Sequence, residues 1–383
     1  MYKRQEEICS LEDVDRGAKV GLRWAKGPFE LANRIGIDVA KTMAADYSEL
    51  ANFPLPKTWE RDDKFDFNYV DLQVDGDIAT ITINRPEAMN ALNETVVGQL
   101  GNAIDMANSN EDVATIVLDG AGKAFVAGAD VKFFVDKIKA DSFPDIYDFT
   151  ADGHVVLNKL EDSTKTTIAL TTGLSLGGGL ELALSCDYRI GTRKTQFRFP
   201  ETSIGIFPGL GGTQRPARIS GIPAARWAVL AGNFMDSQTA ADLGLVTDLV
   251  DVTEVDSTIN KLSKLGKPAE KYPGTPANTD SPVVKFANSF YSDENLLSLI
   301  EGNCPEGFDS EDKIVSRQLR SLSRTAPIAL QMASDLIDAA AETSLKQGLS
   351  QELDNLEKIF STSDALEGLS ALIEGRKPTY QNS

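Results

Sequence analysis

Three features of this sequence predict an α/β fold in which helices pack on sheet. The hydrophobic period switches between that of strands and that of helices several times across residues 69–171. Asp75-Gly76 joins two short apolar runs, a strong hairpin signal. A glycine run, Gly177-Gly178-Gly179, separates a strand-like run from a helix-like one. The order strand–helix–strand–helix is that of a sheet covered by helices.

The elements follow in order. Residues 1–55 are predicted to form a separate helical segment. Ser10-Leu11-Glu12-Asp13 fits a capping box, and Gly27-Pro28 starts a second helix with proline at its first position. A third helix passes through Asp38-Val39-Ala40-Lys41-Thr42-Met43 to Leu50, and Asn52-Phe53-Pro54-Leu55-Pro56 breaks the pattern as a linker. A core is expected over residues 56–263. Within it, 69–75, 77–84, 114–118 and 167–171 read as strands, and 92–108, 152–160 and 180–186 as helices. Pro268, Pro273, Pro276 and Pro282 crowd a polar run, and Asn303-Cys304-Pro305-Glu306-Gly307 is irregular, so 264–324 reads as a partly helical insertion. Helical periodicity returns over 326–361 and 362–373, giving a C-terminal helical region at 325–383.

Composition excludes several functions. A formal net charge of −19 argues against a nucleic-acid partner, which needs a basic face. An anionic ligand would need local lysines, helix N-termini or backbone N–H groups. No run approaches the roughly 18 apolar residues of a membrane span, and the N-terminus lacks the apolar core of a signal peptide. Three scattered cysteines, Cys9, Cys186 and Cys304, without a CxxC spacing argue against a disulfide scaffold or thiolate metal site. A cytoplasmic location is expected. His154 is the single histidine, so no zinc pair is available and any Ser-His-Asp triad would have to use it. Its surroundings read as the start of an amphipathic helix, which favours a structural or surface role. Chemistry is left to carboxylates and backbone.

Three stretches carry that chemistry. Small residues in Gly122-Lys123-Ala124-Phe125-Val126-Ala127-Gly128-Ala129-Asp130 let the backbone wrap a ligand, with Asp130 able to cap the following helix. The second stretch runs through Gly177-Gly178-Gly179 into a helix. It lacks the Gly-Lys-Ser/Thr of a P-loop and fails GxGxxG at Leu182. What remains is a helix N-terminus whose N–H groups suit a carbonyl oxygen acquiring charge. The third is Glu201, followed by a loop containing Gly209-Leu210-Gly211-Gly212. Those glycines suggest a phosphate cradle only weakly, because the context is not strand-turn-helix. Glu181 or Glu201 alone would read as a solvated surface glutamate. Together, flanked by glycine-rich apolar segments, they read as an acid–base pair.

These elements in this order resemble the crotonase family, the enoyl-CoA hydratases and isomerases, over residues 69–253 and 324–380. The likeness is carried by Asn84-Arg85-Pro86, Met89-Asn90-Ala91-Leu92, the 123–130 loop, Gly177-Gly178-Gly179-Leu180-Glu181-Leu182-Ala183 and Phe199-Pro200-Glu201. It continues through Gly205-Ile206-Phe207-Pro208, Gly211-Gly212-Thr213-Gln214-Arg215, Ala240-Ala241-Asp242-Leu243-Gly244-Leu245-Val246, Glu367-Gly368 and Arg376-Lys377-Pro378. The resemblance implies a spiral of ββα units with C-terminal trimerisation helices, and a homotrimer or dimer of trimers. It implies an oxyanion hole made by the N–H groups of Ala129 and Gly178 around a thioester carbonyl. Glu181 would deprotonate a water attacking C3, and Glu201 would deliver a proton to C2.

The same resemblance places coenzyme A along Ala127, Asp130, Val131 and Lys132, with Met89 near the adenine and Lys377 reaching a phosphate. Phe133, Phe134, Pro208 and Gly209 would border the acyl pocket. The CoA thioester is then the substrate, with no metal or redox cofactor. Isomerases and hydrolases of the family commonly lack one of the two glutamates, so the pair points to reversible hydration of a trans-2-enoyl-CoA such as crotonyl-CoA. The alternatives are an isomerase, a hydrolase, or a non-catalytic CoA-binding assembly subunit. Residues 10–17, 27–32 and 35–38 resemble the end of the C-terminal helical domain of 3-hydroxyacyl-CoA dehydrogenases. That implies a possible dehydrogenase partner and, without a nucleotide-binding domain, no NAD-dependent activity.

Overall fold

The helices Leu11–Gly21, Pro28–Ile35 and Ile37–Ala51 build the N-terminal unit in a computed structural model that describes residues 9–59 and 63–383. Ser10 caps the first helix by accepting the Asp13 N–H at 3.1 Å. Pro28 opens the second, as the sequence predicts. The buried Asp15 carboxylate accepts the N–H groups of Phe29 and Glu30, both at 2.9 Å, so the first helix caps the second. Phe29, Trp59 and Phe65 share one apolar core, with ring centroids 4.6 Å apart for Phe29–Phe65 and 5.7 Å for Trp59–Phe65. Because Trp59 and Phe65 belong to that core, the unit extends to Tyr69 rather than stopping at 55. Asp15→Ala would leave two N–H groups without their acceptors and is expected to destabilise this unit by about 1–3 kcal/mol. Urea unfolding of the full chain, followed by tryptophan fluorescence, measures it.

The second unit runs from Val70 to Ser383. Its strands are β1 (Val70–Asp75), β2 (Ile78–Ile83), β3 (Thr115–Gly120), β4 (Ala124–Ala127), β5 (Thr166–Thr171), β6 (Leu174–Leu176), β7 (Tyr188–Gly191), β8 (Gln196–Arg198), β9 (Met235–Asp236) and β10 (Asp248–Leu249). They form a six-stranded sheet in the order β1-β2-β3-β5-β7-β10 and a four-stranded sheet in the order β4-β6-β8-β9. Successive pairs β3/β4, β5/β6 and β7/β8 each give one strand to either sheet, and intervening helices return the chain. This is the ββα spiral. The β1–β2 hairpin pairs Asp75 with Ile78, so the loop is Gly76-Asp77, one residue later than predicted. From β2 through β7 the large sheet is parallel, and its inner strands are buried on both faces.

Two predicted elements differ from those found. The loop expected at 122–130 contains β4, and the helix expected to start near 152 is Phe143–Glu161, so His154 lies in its middle. The segment 264–324 carries the helices Pro282–Phe290, Asp293–Ile300 and Lys313–Leu322. It is tied to the core: Gln318 accepts from the Tyr291 hydroxyl at 2.9 Å and from Asn233 at 3.0 Å. The C-terminal helices Pro327–Ala339, Leu345–Asp354, Leu356–Phe360 and Ser363–Glu374 lie against the same core, where Ala326 N–H donates to Thr202 O at 3.0 Å. No helix among the described residues is long and apolar enough to cross a membrane.

Candidate active site

The turn after β6 is where the two sheets deliver their chemistry. Gly177 takes φ 44° and ψ −122°, a conformation that favours glycine, and the helix Gly178–Leu184 begins directly after it. A Cβ on Gly177 would lie 2.0 Å from Glu201 Oε1, and one on Gly179 would lie 2.0 Å from the Val126 carbonyl oxygen. The turn is therefore pinched between β4 and the Glu201 carboxylate. Gly179→Ala is expected to cost about 1–3 kcal/mol in overpacking, measurable as a lower midpoint in urea unfolding.

Two residues lining this turn's cavity, Gly178 and Ala129, have a peptide N–H for which no helix or bridge acceptor is in place. Gly178 is the first residue of its helix, where no intrahelical acceptor exists. Ala129 bridges to Leu92 through its neighbours: Leu92 N–H donates to Gly128 O at 2.9 Å, and Asp130 N–H donates to Leu92 O at 2.8 Å. Backbone N–H groups alternate in direction along an extended segment, so the Ala129 N–H points away from Leu92. Ala127, Gly128, Ala129, Gly177 and Gly178 all line one cavity of about 250 Å³.

Glu181 stands at the base of that cavity, 2% exposed. Its Oε1 accepts the N–H groups of Leu210 at 2.7 Å and Gly212 at 2.6 Å. Burial pushes its carboxyl up to about 7, while those two donors and the Arg215 charge pull the other way. Glu201 opens the short 3₁₀ turn Glu201–Ile204 after β8 and is also buried. Burial, followed by the Glu181 charge, raises it well above the ordinary carboxylate range. Its Oε2 has no hydrogen-bond partner among the described residues. The arrangement thus sets a carboxylate that receives two donors beside one whose ionisation is opposed by burial and a neighbouring charge.

A third buried carboxylate binds the turn that donates to Glu181. Glu352, from the helix Leu345–Asp354, accepts Gly211 N–H at 2.6 Å, Thr213 N–H at 3.2 Å and the Thr213 hydroxyl at 2.5 Å. Four consecutive N–H groups, Leu210 to Thr213, therefore alternate between Glu181 and Glu352. The stretch that weakly suggested a phosphate cradle serves two of the protein's own carboxylates. His154 is buried, with Nε2 2.7 Å from Gly209 O, and burial pushes its imidazole down to about 4. It is a neutral structural group bound to the same turn.

Glu181, Glu201, Ala129, Gly178, Ala127, Val131 and Gly209 are brought together around the cavity as the sequence predicts. Met89, Asp130, Lys132, Phe133, Pro208 and Lys377 are absent from its wall. Asp130 caps the helix Val131–Lys139 and lies 3.7 Å from Arg85, while Lys132 and Lys377 are exposed. Met89 is 52% exposed, and its carbonyl accepts the Ala127 N–H at 3.0 Å at the end of β4. Phe133 packs edge-on against Phe134, which takes the wall position instead, and Pro208 lies behind Gly212. Phe134, Phe149, Phe207, Leu356, Phe360 and Leu369 give the cavity an apolar side. Phe207 lies in the Gly205-Ile206-Phe207-Pro208 motif, whereas Phe149, Leu356, Phe360 and Leu369 carried none, since they arrive from helices distant in sequence.

Residues 78–383 match the family model described as enoyl-CoA hydratase/isomerase. The chain belongs to this family. A probable enoyl-CoA hydratase of Mycobacterium bovis is 31% identical over 303 residues, covering 79% of this chain and 94% of that protein. A short-chain-enoyl-CoA hydratase of Clostridium acetobutylicum is 29% identical over 313 residues, covering 82% and 97%. The solved structure of a carnitinyl-CoA dehydratase from Mycobacterium thermoresistibile shares the fold, with a TM-score of 0.71 at 21% identity over 82% of this chain and 92% of that one. The ββα spiral is accordingly the enoyl-CoA hydratase/isomerase fold, and Glu181 and Glu201 lie where its glycine turn meets the cavity.

Proposed function

We propose that this enzyme reversibly adds water across a trans-2-enoyl-CoA to give a 3-hydroxyacyl-CoA. The observation that carries the reading is the convergence of two buried carboxylates on one glycine turn. A Cβ on Gly177 would meet Glu201, and the Cβ position of Gly178 lies 3.9 Å from Glu181 Oε2. With the thioester oxygen at the N–H groups of Ala129 and Gly178, charge developing on that oxygen is met by donors already in place. Such donors typically contribute a few kcal/mol each. Glu181, near 7 and stabilised as a carboxylate by two N–H groups, takes the proton of a water attacking C3. Glu201, held protonated, donates to C2. The apolar wall takes the acyl chain, and the CoA moiety leaves toward Val131 and Ala127.

Incubation with crotonyl-CoA is expected to consume the conjugated enoyl absorbance and yield 3-hydroxybutyryl-CoA. A product with the double bond moved, or free acid and CoA, would overturn hydration. The pH dependence follows from the two carboxyls. The value of kcat/KM rises as pH passes about 7, where Glu181 loses its proton, and falls at higher pH as Glu201 ionises. A profile flat through that region would remove Glu181 as the base.

The proposal includes a homotrimer or dimer of trimers, supported by the exposed Leu372 and Ile373 on the last helix. It also includes a dehydrogenase partner, supported by the resemblance of the N-terminal helices. Light scattering tests the first, and binding to a purified 3-hydroxyacyl-CoA dehydrogenase tests the second.

A further inference from the structure

Behind the Glu181 helix lies another cluster of buried charges, and the segment 264–324 supplies part of it. Glu161 ends the helix Phe143–Glu161. Its carboxylate receives Lys271 Nζ at 2.7 Å, the Tyr272 hydroxyl at 2.8 and 2.9 Å, and Arg215 Nε at 3.0 Å. Lys271 also donates to Ser185 O at 2.7 Å, the carbonyl at the C-cap of the helix that carries Glu181. A cation there complements the helix dipole. Arg215, fully buried, donates from Nη1 to Leu210 O at 2.9 Å. Leu210 is the residue whose N–H binds Glu181 at 2.7 Å. An unbroken series of contacts thus leads from Lys271 and Tyr272 through Glu161, Arg215 and Leu210 to the Glu181 carboxylate.

We propose that Lys271 and Tyr272 are positioning residues for Glu181, through which the segment 264–324 holds that carboxylate's N–H donors in place and sets the charge it faces. The side chains of Lys271 and Glu161 are only 13% and 12% exposed, so solvent screens them little. Glu161, Arg215 and Lys271 together carry one carboxylate and two cations, a net single positive charge behind Glu181. Tyr272 is kept neutral by burial. On its other sides Glu181 meets the carboxyls of Glu201 and Glu352, and neutral His154 lies beyond Gly209. Arg218 faces Arg215, and the Asp187–Lys267 pair, 3.3 Å apart, lies beside Lys271.

Arg215 acts on Glu181 directly, and on this proposal the Lys271 and Glu161 charges behind it act with opposite sign. Lys271→Met leaves the cluster neutral and removes a stabiliser of the Glu181 carboxylate. Glu161→Gln leaves it doubly positive and adds one. A residue that merely packs would not move the titration of Glu181 in opposite directions when its neighbours change charge.

The inference rests on Glu181 as the base of the proposed hydratase, but its test reads the carboxyl itself. In full-length protein labelled with ¹³C-glutamate, the Glu181 carboxyl resonance is identified by its loss in Glu181→Gln, and its pH titration is followed. Lys271→Met is expected to raise the titration midpoint by about one pH unit, and Glu161→Gln to lower it by a similar amount. Lys271→Arg restores the original midpoint. An unmoved midpoint in Lys271→Met, a shift that Lys271→Arg does not reverse, or shifts of the same sign in both charge variants overturns the proposal. If Glu161→Gln fails to fold, the Met and Arg variants at 271 still decide it. Failure to hydrate crotonyl-CoA would defeat the functional reading and leave this titration intact.

Discussion

Glu201→Gln is expected to lower kcat for hydration of crotonyl-CoA by about a thousandfold, with KM changed by no more than about threefold. Glutamine is nearly isosteric, so the Gly177 turn that rests on the Glu201 carboxylate keeps its shape. What is lost is a transferable proton. Burial and the Glu181 charge favour the acid form of Glu201, and its Oε2 has no protein partner among the described residues. An amide at that place can donate a hydrogen bond but cannot protonate C2. Glu181→Gln is expected to fall by a similar factor, because the amide oxygen can still accept from Leu210 and Gly212 while the base is gone. Since both groups act in one addition, the double variant should be about as slow as the slower single one. Stopped-flow loss of enoyl absorbance measures all three. A Glu201→Gln enzyme retaining a tenth of the wild-type rate would remove this residue from proton transfer.

The residues that make this pair were legible because they are close in sequence and flanked by glycines with a steric reason to be there. Gly177 and Gly179 sit against a carboxylate and a carbonyl oxygen at distances no side chain tolerates, and such positions leave a visible run of glycine. The β1–β2 hairpin and the buried strands β3 and β5 were legible for a different reason. Their apolar runs are long enough to show a period. The strands β4, β6 and β8 have four, three and three residues, too short for alternation to emerge, so none showed bounds of its own. The segment 264–324 was obscured by its prolines. Pro282 marks the start of a helix there rather than a break, and Lys271 is polar by composition yet buried by its partners.

Least legible of all was Glu352, whose acceptor role spans 139 and 141 residues to Thr213 and Gly211. Glu352→Ala is the second substitution expected to have a large effect. It would strand two peptide N–H groups and the Thr213 hydroxyl in a site that water does not reach, at a cost of about 1–3 kcal/mol for each. Part of that cost is offset, because burial and the Glu181 charge push Glu352 up to about 8 from an ordinary 4.5, and the alanine escapes this penalty. The net loss is expected to be about 3 kcal/mol. The turn it holds also presents Leu210 and Gly212 to Glu181, so kcat should fall between about tenfold and a hundredfold.

The pH dependence separates the carboxyl from mere packing. The folded protein keeps the Glu352 proton at pH values where the unfolded chain has released it. The stabilising contribution of that proton is fully present below about 4.5 and is lost as pH rises through about 8. Glu352→Gln has no such proton. Its deficit relative to wild type in urea unfolding should therefore shrink steadily between pH 5 and pH 8. A constant deficit would mean that Glu352 keeps one charge state throughout that range. Wild-type turnover in Glu352→Ala would mean that the turn from Leu210 to Thr213 holds its N–H groups toward Glu181 unaided.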